Sequence, residues 1–340
     1  MNRDGYRRGM TDAPSAARWA LLGAGAIASD FAVALPHARL GALHAVAARD
    51  TERARAFADA HGAPVAGTYD EILARDDVDA VYIATVHTAH AQLAHAALDA
   101  GKAVLCEKPL TVSPADTDQL LAHARAAGVP LVEAFKYRFG PFADRLRELV
   151  GDGGIGELRE IEASFGFAAG SREGRLFDPE TAGGAIFDVG CYPVSYAIGL
   201  AAAAGRDVAA SVVVDARGET GPTGVDENAT IDLDLDGTRA RLHTSIAQDL
   251  TRSARLVGSL ATVEIADTWG SRSASAHTAV VRRADGGVEQ IRTAVVQPMA
   301  AEADAVIAAL RDGRVEAPEM PWAESSVIAR VLDRWRSAIR

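Results

Sequence analysis

The 340-residue sequence is poor in cysteine, in positive charge and in long apolar runs. Its two cysteines, Cys106 and Cys191, sit in apolar surroundings. They read as reduced packing residues of a cytoplasmic protein rather than as a disulfide. The net charge of −11 argues against nucleic-acid and anionic-membrane partners, because both need a basic face. No apolar run approaches the roughly 18 residues of a membrane span. The stretch from Met1 to Ala17 lacks the apolar core of a signal peptide. It is polar, carries Arg3, Arg7 and Arg8 among glycines and Pro14, and is expected to be a disordered tail, with Met10 an alternative start. What remains is ordinary: 49% hydrophobic and 24% charged, the balance of a soluble globular chain long enough for two domains.

The first half alternates short apolar runs with helical spacings. Trp19 to Gly23 reads as a buried strand. Gly23-Ala24-Gly25-Ala26-Ile27-Ala28 follows at once, then the helical pattern Ile27, Phe31, Ala34, Leu35. Strand, glycine loop and helix in that order make a dinucleotide fingerprint, with Ala28 in the third glycine position. Gly23 permits the tight turn, Gly25 lets the backbone approach a pyrophosphate, and the start of the helix at Ala26 and Ile27 favours the anion. The second strand, Leu43 to Ala47, leads to Ala48-Arg49-Asp50. An NAD site places an acid there for the ribose 2′-hydroxyl. Arg49 suits a 2′-phosphate instead, so NADP(H) is expected over NAD(H). In the plainer alternative Arg49 is solvated and Asp50 only caps the next helix.

Repeated βα units imply a parallel, doubly wound sheet, whose ligands bind outside the carboxyl ends of the strands. The strand Val78 to Thr85 brings Thr85, His87 and His90 to that edge, as contacts to the cofactor ribose or to substrate. Three-residue spacing of the histidines raises the question of metal, but no Cys, Asp or Glu cluster completes a coordination set, and none is expected. The apolar strand from Ala103 ends in Cys106-Glu107-Lys108-Pro109, which puts Glu107 and Lys108 at the rim of the same crevice. In that position Lys108 can serve as the proton-transfer group of a nicotinamide-dependent oxidoreductase. A solvated surface Lys–Glu pair is the plain alternative.

Near Tyr137-Arg138-Phe139-Gly140-Pro141 the pattern changes to period two. Ile161, Ala163, Phe165 and Phe167 alternate with polar residues, as do Ile231, Leu233 and Leu235, then Ala240, Leu242, Thr244 and Ile246. Shorter strands are expected at 254–257, 261–265, 279–283 and 288–292. Turn-linked alternation predicts a large, open, mostly antiparallel sheet with one apolar face, flanked by helices. The other face is solvated or a contact between copies. The loops Gly170–Thr181 and Gly218–Asn228 are not placed by this pattern. Residues 1–17 are thus read as tail, 18–137 as the dinucleotide-binding domain, and 138–340 as an α+β substrate and oligomerisation domain. Between the strands, Thr181-Ala182-Gly183-Gly184-Ala185 leads through Asp188-Val189-Gly190-Cys191-Tyr192 into a helix. Asp188 and Tyr192 share a helical face at four-residue spacing. They either grip a substrate hydroxyl together, or cap and pack the helix.

These motifs resemble the glucose–fructose oxidoreductase/inositol dehydrogenase/MocA (Gfo/Idh/MocA) family over nearly the whole chain after the tail. The loop Gly23 to Ala28 is similar to its cofactor loop. Glu107-Lys108-Pro109 is similar to its hallmark tripeptide, and the run from Gly183 to Tyr192 to its second motif. The resemblance implies an N-terminal Rossmann domain and makes Lys108 the catalytic lysine, with Asp188 and Tyr192 in the substrate site. Tyrosine at 192 resembles the branch of dimeric dihydrodiol dehydrogenases and NADP-linked xylose dehydrogenases. Lys136 departs from the pattern, where an apolar residue is expected. Pointing inward, it would favour an anionic substrate; pointing outward, it would mean nothing.

The expected reaction moves a hydride between the nicotinamide and a sugar, polyol or cyclic diol, with a homodimer or homotetramer as the assembly. A base poised near neutrality best moves the accompanying proton. Lys108 and Tyr192 share that task in one scheme. Lys108 acts alone, with Tyr192 positioning substrate, in the other. Asp188 holds a hydroxyl or orients Lys108, and Glu107 supports the nicotinamide side. Competing readings are a glycosidase using tightly held NAD and a non-catalytic dinucleotide-binding regulator.

Overall fold

The computed structural model describes residues 16–270, 276–294 and 297–339. The expected tail lies outside the described residues except for Ala16 and Ala17, and Ala17 already pairs with Gly41 in a strand. The first half builds β1 (Ala17–Leu22), α1 (Ala26–Ala34), β2 (Gly41–Ala47), α2 (Thr51–His61), β3 (Val65–Gly67), α3 (Tyr69–Leu73), β4 (Ala80–Ile83), α4 (His90–Asp99), β5 (Ala103–Glu107), α5 (Pro114–Ala127) and β6 (Leu131–Ala134). The six strands form one sheet in the order β3-β2-β1-β4-β5-β6, every pairing parallel. Strand side chains alternate between faces. Leu22, Val81, Ile83 and Val104 therefore pack with α4 and α5, while Trp19, Leu21, Tyr82 and Leu105 turn to the other side with Phe31 of α1. With both faces covered, the strands are apolar almost throughout, which is why they read as short continuous runs.

Helix α6 (Pro141–Gly151) leads to the second sheet: β7 (Leu158–Gly166), then after α7 (Cys191–Ala203) β8 (Val212–Thr220), β9 (Asp226–Leu235), β10 (Thr238–Ser245), β11 (Ala254–Gly258), β12 (Ala261–Ile265), β13 (His277–Arg283) and β14 (Val288–Thr293). Its order is β14-β13-β12-β11-β7-β10-β9-β8, antiparallel except where β10 runs parallel to β7. The period-two sets Ile231/Leu233/Leu235 and Ala240/Leu242 all enter the core under α7 and the last helix, α9 (Trp322–Ala338). The opposite face carries cross-strand ion pairs, such as Arg241–Asp232 at 3.2 Å and Arg282–Glu264 at 3.1 Å.

Strand β8 corrects the sequence reading, which left 218–228 as loop and found no strand before it. It is an edge strand with Val212 and Val214 exposed, so burial imposes no alternation on its sequence. A second correction concerns apolar length. The helical run Pro179–Ala203 is apolar enough to meet a membrane-span criterion, but 89% of its most apolar window is buried inside the protein, and core packing accounts for it. Helix α8 (Pro298–Arg311) returns from the second half to pack on β5 and α1 of the first sheet. One hydrophobic core, from Trp19 to Trp335, thus runs through both sheets and holds the crevice edge of β5 against the second half.

Candidate active site

The turn that ends β5 is anchored at each residue. Glu107 is buried and accepts a hydrogen bond from Tyr82 Oη at 2.5 Å; Tyr82 in turn stacks on Phe31 with ring centroids 4.0 Å apart. The Lys108–Pro109 peptide is cis. The Pro109 carbonyl meets His90 Nδ1 at 2.9 Å, and the Leu110 amide donates to Glu133 Oε1 at 2.8 Å. Ser325 Oγ of α9 donates to the other oxygen of Glu133 at 2.8 Å. The half-buried Lys108 side chain leaves this turn and crosses to the second half. There its Nζ donates to the Asp188 backbone carbonyl at 2.8 Å and lies 5.2 Å from the centre of the Tyr192 ring.

The glycine pair of the second motif shapes the partner surface. A methyl group at Gly183 would stand 2.6 Å from the Arg175 carbonyl oxygen, and Gly184 has φ of +114° with a methyl position 2.4 Å from Asp226 Oδ1. Only glycine lets the 167–182 loop fold onto the start of the following helix. That start, Ile186–Gly190, is a π-helical turn, a form that often marks functional sites. Asp188 lies within it and makes no side-chain cap, contrary to the capping alternative. Its carboxylate accepts from Arg175 Nη1 at 2.9 Å. Burial opposes its ionisation, yet Lys108 and Arg175 outweigh burial and hold the carboxyl below its usual range. Tyr192 follows at the start of α7 inside an aromatic box. Its ring meets Phe165 edge-on at 5.1 Å and Trp269 at 5.8 Å, and its backbone carbonyl accepts from Tyr137 Oη at 3.1 Å.

On the cofactor side, Gly23 has φ of +121° and a methyl there would stand 2.5 Å from the Ala84 oxygen, so this turn too requires glycine. Gly25 opens onto free space, with nothing within 4 Å of a methyl position. Helix α1 starts at Ala26 with no side-chain cap and no acid in its first turn. The amides of Ala26, Ile27 and Ala28 thus remain for an anion, while the Ala28 side chain is buried against the sheet. These features fit a dinucleotide pyrophosphate. Arg49 is exposed at the end of β2, and Asp50 caps α2 by accepting from the Glu52 and Arg53 amides. Arg53, which the sequence reading passed over, donates through Nη2 and Nε to the Ala24 carbonyl at 2.9 and 3.2 Å. Arg53 thus lies on the glycine loop, and both arginines favour the ionised Tyr69 hydroxyl against its burial.

Thr85 is half-buried beside Gly23. Both histidines, expected as contacts to cofactor or substrate at the crevice edge, are buried. His87 Nδ1 meets the Ala182 carbonyl at 3.1 Å and bridges the two halves. His90 has no exposed surface. Its Nδ1 holds the Pro109 carbonyl of the Lys108 turn. Burial, with Lys108 adding to it, keeps His87 below the usual histidine value, and burial lowers His90 to about 4; both rings are neutral at physiological pH. Lys136 is also buried and donates to the Trp269 carbonyl at 2.6 Å. Its ammonium supports the aromatic box. Among the described residues no group of three or more His, Cys, Asp or Glu side chains is arranged to hold a metal ion.

Tyr82, Glu133 and Arg175 escaped the sequence reading. Glu133 alone left a signal, as a single acid in the apolar run Leu131-Val132-Glu133-Ala134. Burial pushes its carboxyl up to about 7, against the lowering effect of its hydrogen bonds to Ser325 and Leu110.

Two family models match most of the chain. Residues 17–135 match the model described as oxidoreductase family, NAD-binding Rossmann fold, and residues 143–264 match the GFO/IDH/MocA C-terminal domain. The chain belongs to the GFO/IDH/MocA oxidoreductase family. It is 35% identical over 338 residues to trans-1,2-dihydrobenzene-1,2-diol dehydrogenase from Mus musculus, covering 95% of this chain and 97% of that one. The enzyme of the same name from Xenopus tropicalis is 33% identical, with 94% and 96% covered. Among solved structures, KijD10, a 3-ketoreductase from Actinomadura kijaniata in complex with NADP and TDP-benzene, superposes with a TM-score of 0.84 at 27% identity, over 96% of this chain and 98% of that one. An aldose–aldose oxidoreductase from Caulobacter crescentus shares the fold, with a TM-score of 0.83 at 23% identity over 95% and 97% of the two chains. This family member is an NAD(P)-dependent oxidoreductase acting on CH–OH groups.

Proposed function

We propose that the enzyme uses NADP(H) and interconverts the hydroxyl and carbonyl forms of a sugar, polyol or cyclic diol. The observation that carries this reading is the convergence of Lys108 from the first half with Asp188 and Tyr192 from the second, at the carboxyl edge of the parallel sheet. When bound, the nicotinamide supplies or accepts the hydride. Lys108 orients the reacting oxygen and shares its proton, Tyr192 donates or accepts that proton directly, and Asp188 holds a neighbouring hydroxyl. Glu107, fixed by Tyr82, supports the nicotinamide side. Phe165 and Trp269 wall the tyrosine and limit water.

Preference for the phosphorylated cofactor is supported by the exposed Arg49 after β2 and by Arg53 on the glycine loop, because a guanidinium suits a 2′-phosphate. It is supported as well by the NADP in the KijD10 complex. The test follows nucleotide absorbance over a panel of sugars, polyols and cyclic diols, with NADPH or NADH for the carbonyl compounds and NADP+ or NAD+ for the hydroxyl compounds, and glycoside release is measured in parallel. Turnover favouring NADPH is expected. Glycoside release without net nucleotide change, or no turnover with any compound, overturns the reading.

A further inference from the structure

We propose that Arg175 is a specificity-determining residue that selects polyol substrates carrying a carboxylate or a phosphate. This rests on the crevice being the substrate site, as argued above.

Arg175 lies on the loop whose course the sequence left open. It stands in a short 3-10 turn, Arg175–Phe177, pressed against Gly183. Thr181 Oγ1 donates to its carbonyl at 2.9 Å and fixes the backbone. Its side chain remains 53% exposed, whereas that of Asp188 is only 10% exposed. Among the described residues its guanidinium makes a single hydrogen bond, to Asp188 Oδ1. Most of its five donors thus make no hydrogen bond among the described residues, beside the buried Asp188 carboxylate. The neighbouring cation on the loop, Arg172, is engaged instead through two bonds of 2.8 and 2.7 Å to Glu227.

Lys108 and Arg175 both act on one carboxylate, Asp188. Glu107 faces Tyr82 and the Lys108 amide, and the buried His87 and His90 stay neutral. A planar fork of donors with only one bond made can accept an anionic group on the substrate, carboxylate and phosphate alike. Lys136, the residue singled out for this task in the sequence, is spent on the Trp269 carbonyl.

The test measures binding without turnover. Sorbitol, gluconate and sorbitol 6-phosphate are titrated calorimetrically into NADPH-loaded enzyme at constant ionic strength; reduced cofactor cannot oxidise their hydroxyls. At least one anion should bind about tenfold or more tightly than sorbitol, the scale of one charge-assisted hydrogen bond. The larger preference identifies carboxylate or phosphate. In Arg175→Gln the preference should collapse toward one, and in Arg175→Lys part of it should return. Equal binding of all three compounds, or a preference unchanged in Arg175→Gln, overturns the proposal. Failure of hydride transfer in the substrate panel would instead strike the functional reading, and leaves this affinity ratio measurable.

Discussion

Lys108 Nζ donates to the backbone carbonyl of Asp188 at 2.8 Å, so the amine that follows β5 is held by the π-helical turn of the second half. This bond fixes the ammonium beside the Tyr192 ring. Replacing Lys108 by Met should lower kcat about a hundredfold or more. NADPH affinity should change little, because the glycine loop and the α1 amides are untouched. Steady-state kinetics and nucleotide titration check both halves of this expectation, and near-normal turnover would remove Lys108 from the chemistry.

Tyr192→Phe keeps the ring in its box with Phe135, Phe165 and Trp269 and deletes only the hydroxyl. A tyrosine that transfers the proton should cost about a hundredfold in kcat when it is lost. A change confined to KM assigns it to positioning and leaves Lys108 as the acid–base group.

Arg53 is tied to the Ala24 carbonyl and lies with Arg49 near Tyr69. Arg53→Ala should raise KM for NADPH about tenfold, the size of a lost charge-assisted contact, while KM for NADH stays nearly constant. Equal effects on both nucleotides would place the 2′-phosphate elsewhere.

Glu133 supports the Lys108–Pro109 turn while buried, with its carboxyl pushed up to about 7 from an ordinary 4.5. Below about 4.5 it is protonated in both folded and unfolded chains, and it imposes no penalty. As pH rises toward 7 the unfolded chain ionises first, so stability falls. Above pH 7 the loss is complete, on the order of 3 kcal/mol. Glu133→Gln keeps an acceptor for the Leu110 amide and cannot ionise. It should melt several degrees above the parent at pH 8 and nearly level with it at pH 4.5. The same difference at both pH values would refute the raised carboxyl.

The sequence by itself determined the local elements whose side chains answer to burial. Continuous apolar runs such as Leu21-Leu22 and Val104-Leu105 gave the parallel sheet because both of its faces are covered. Strict alternation in 231–235 and 240–244 gave the second sheet because only one face is covered. Gly23 was legible because only glycine fits its turn, and Gly183 and Gly184 through the family motif that contains them; the structure supplies the close approaches there. Edge strand β8 was not legible, because little of it is buried. The tertiary structure alone decided what polar side chains do, since their partners are distant in the chain. Tyr82 lies 25 positions from Glu107, and Ser325 lies 192 from Glu133. Chain spacing carries no record of such pairs. It could not show that His90 holds a carbonyl, that Lys136 serves Trp269, or that Arg175 reaches Asp188; those assignments followed only once the core had brought the two sheets together.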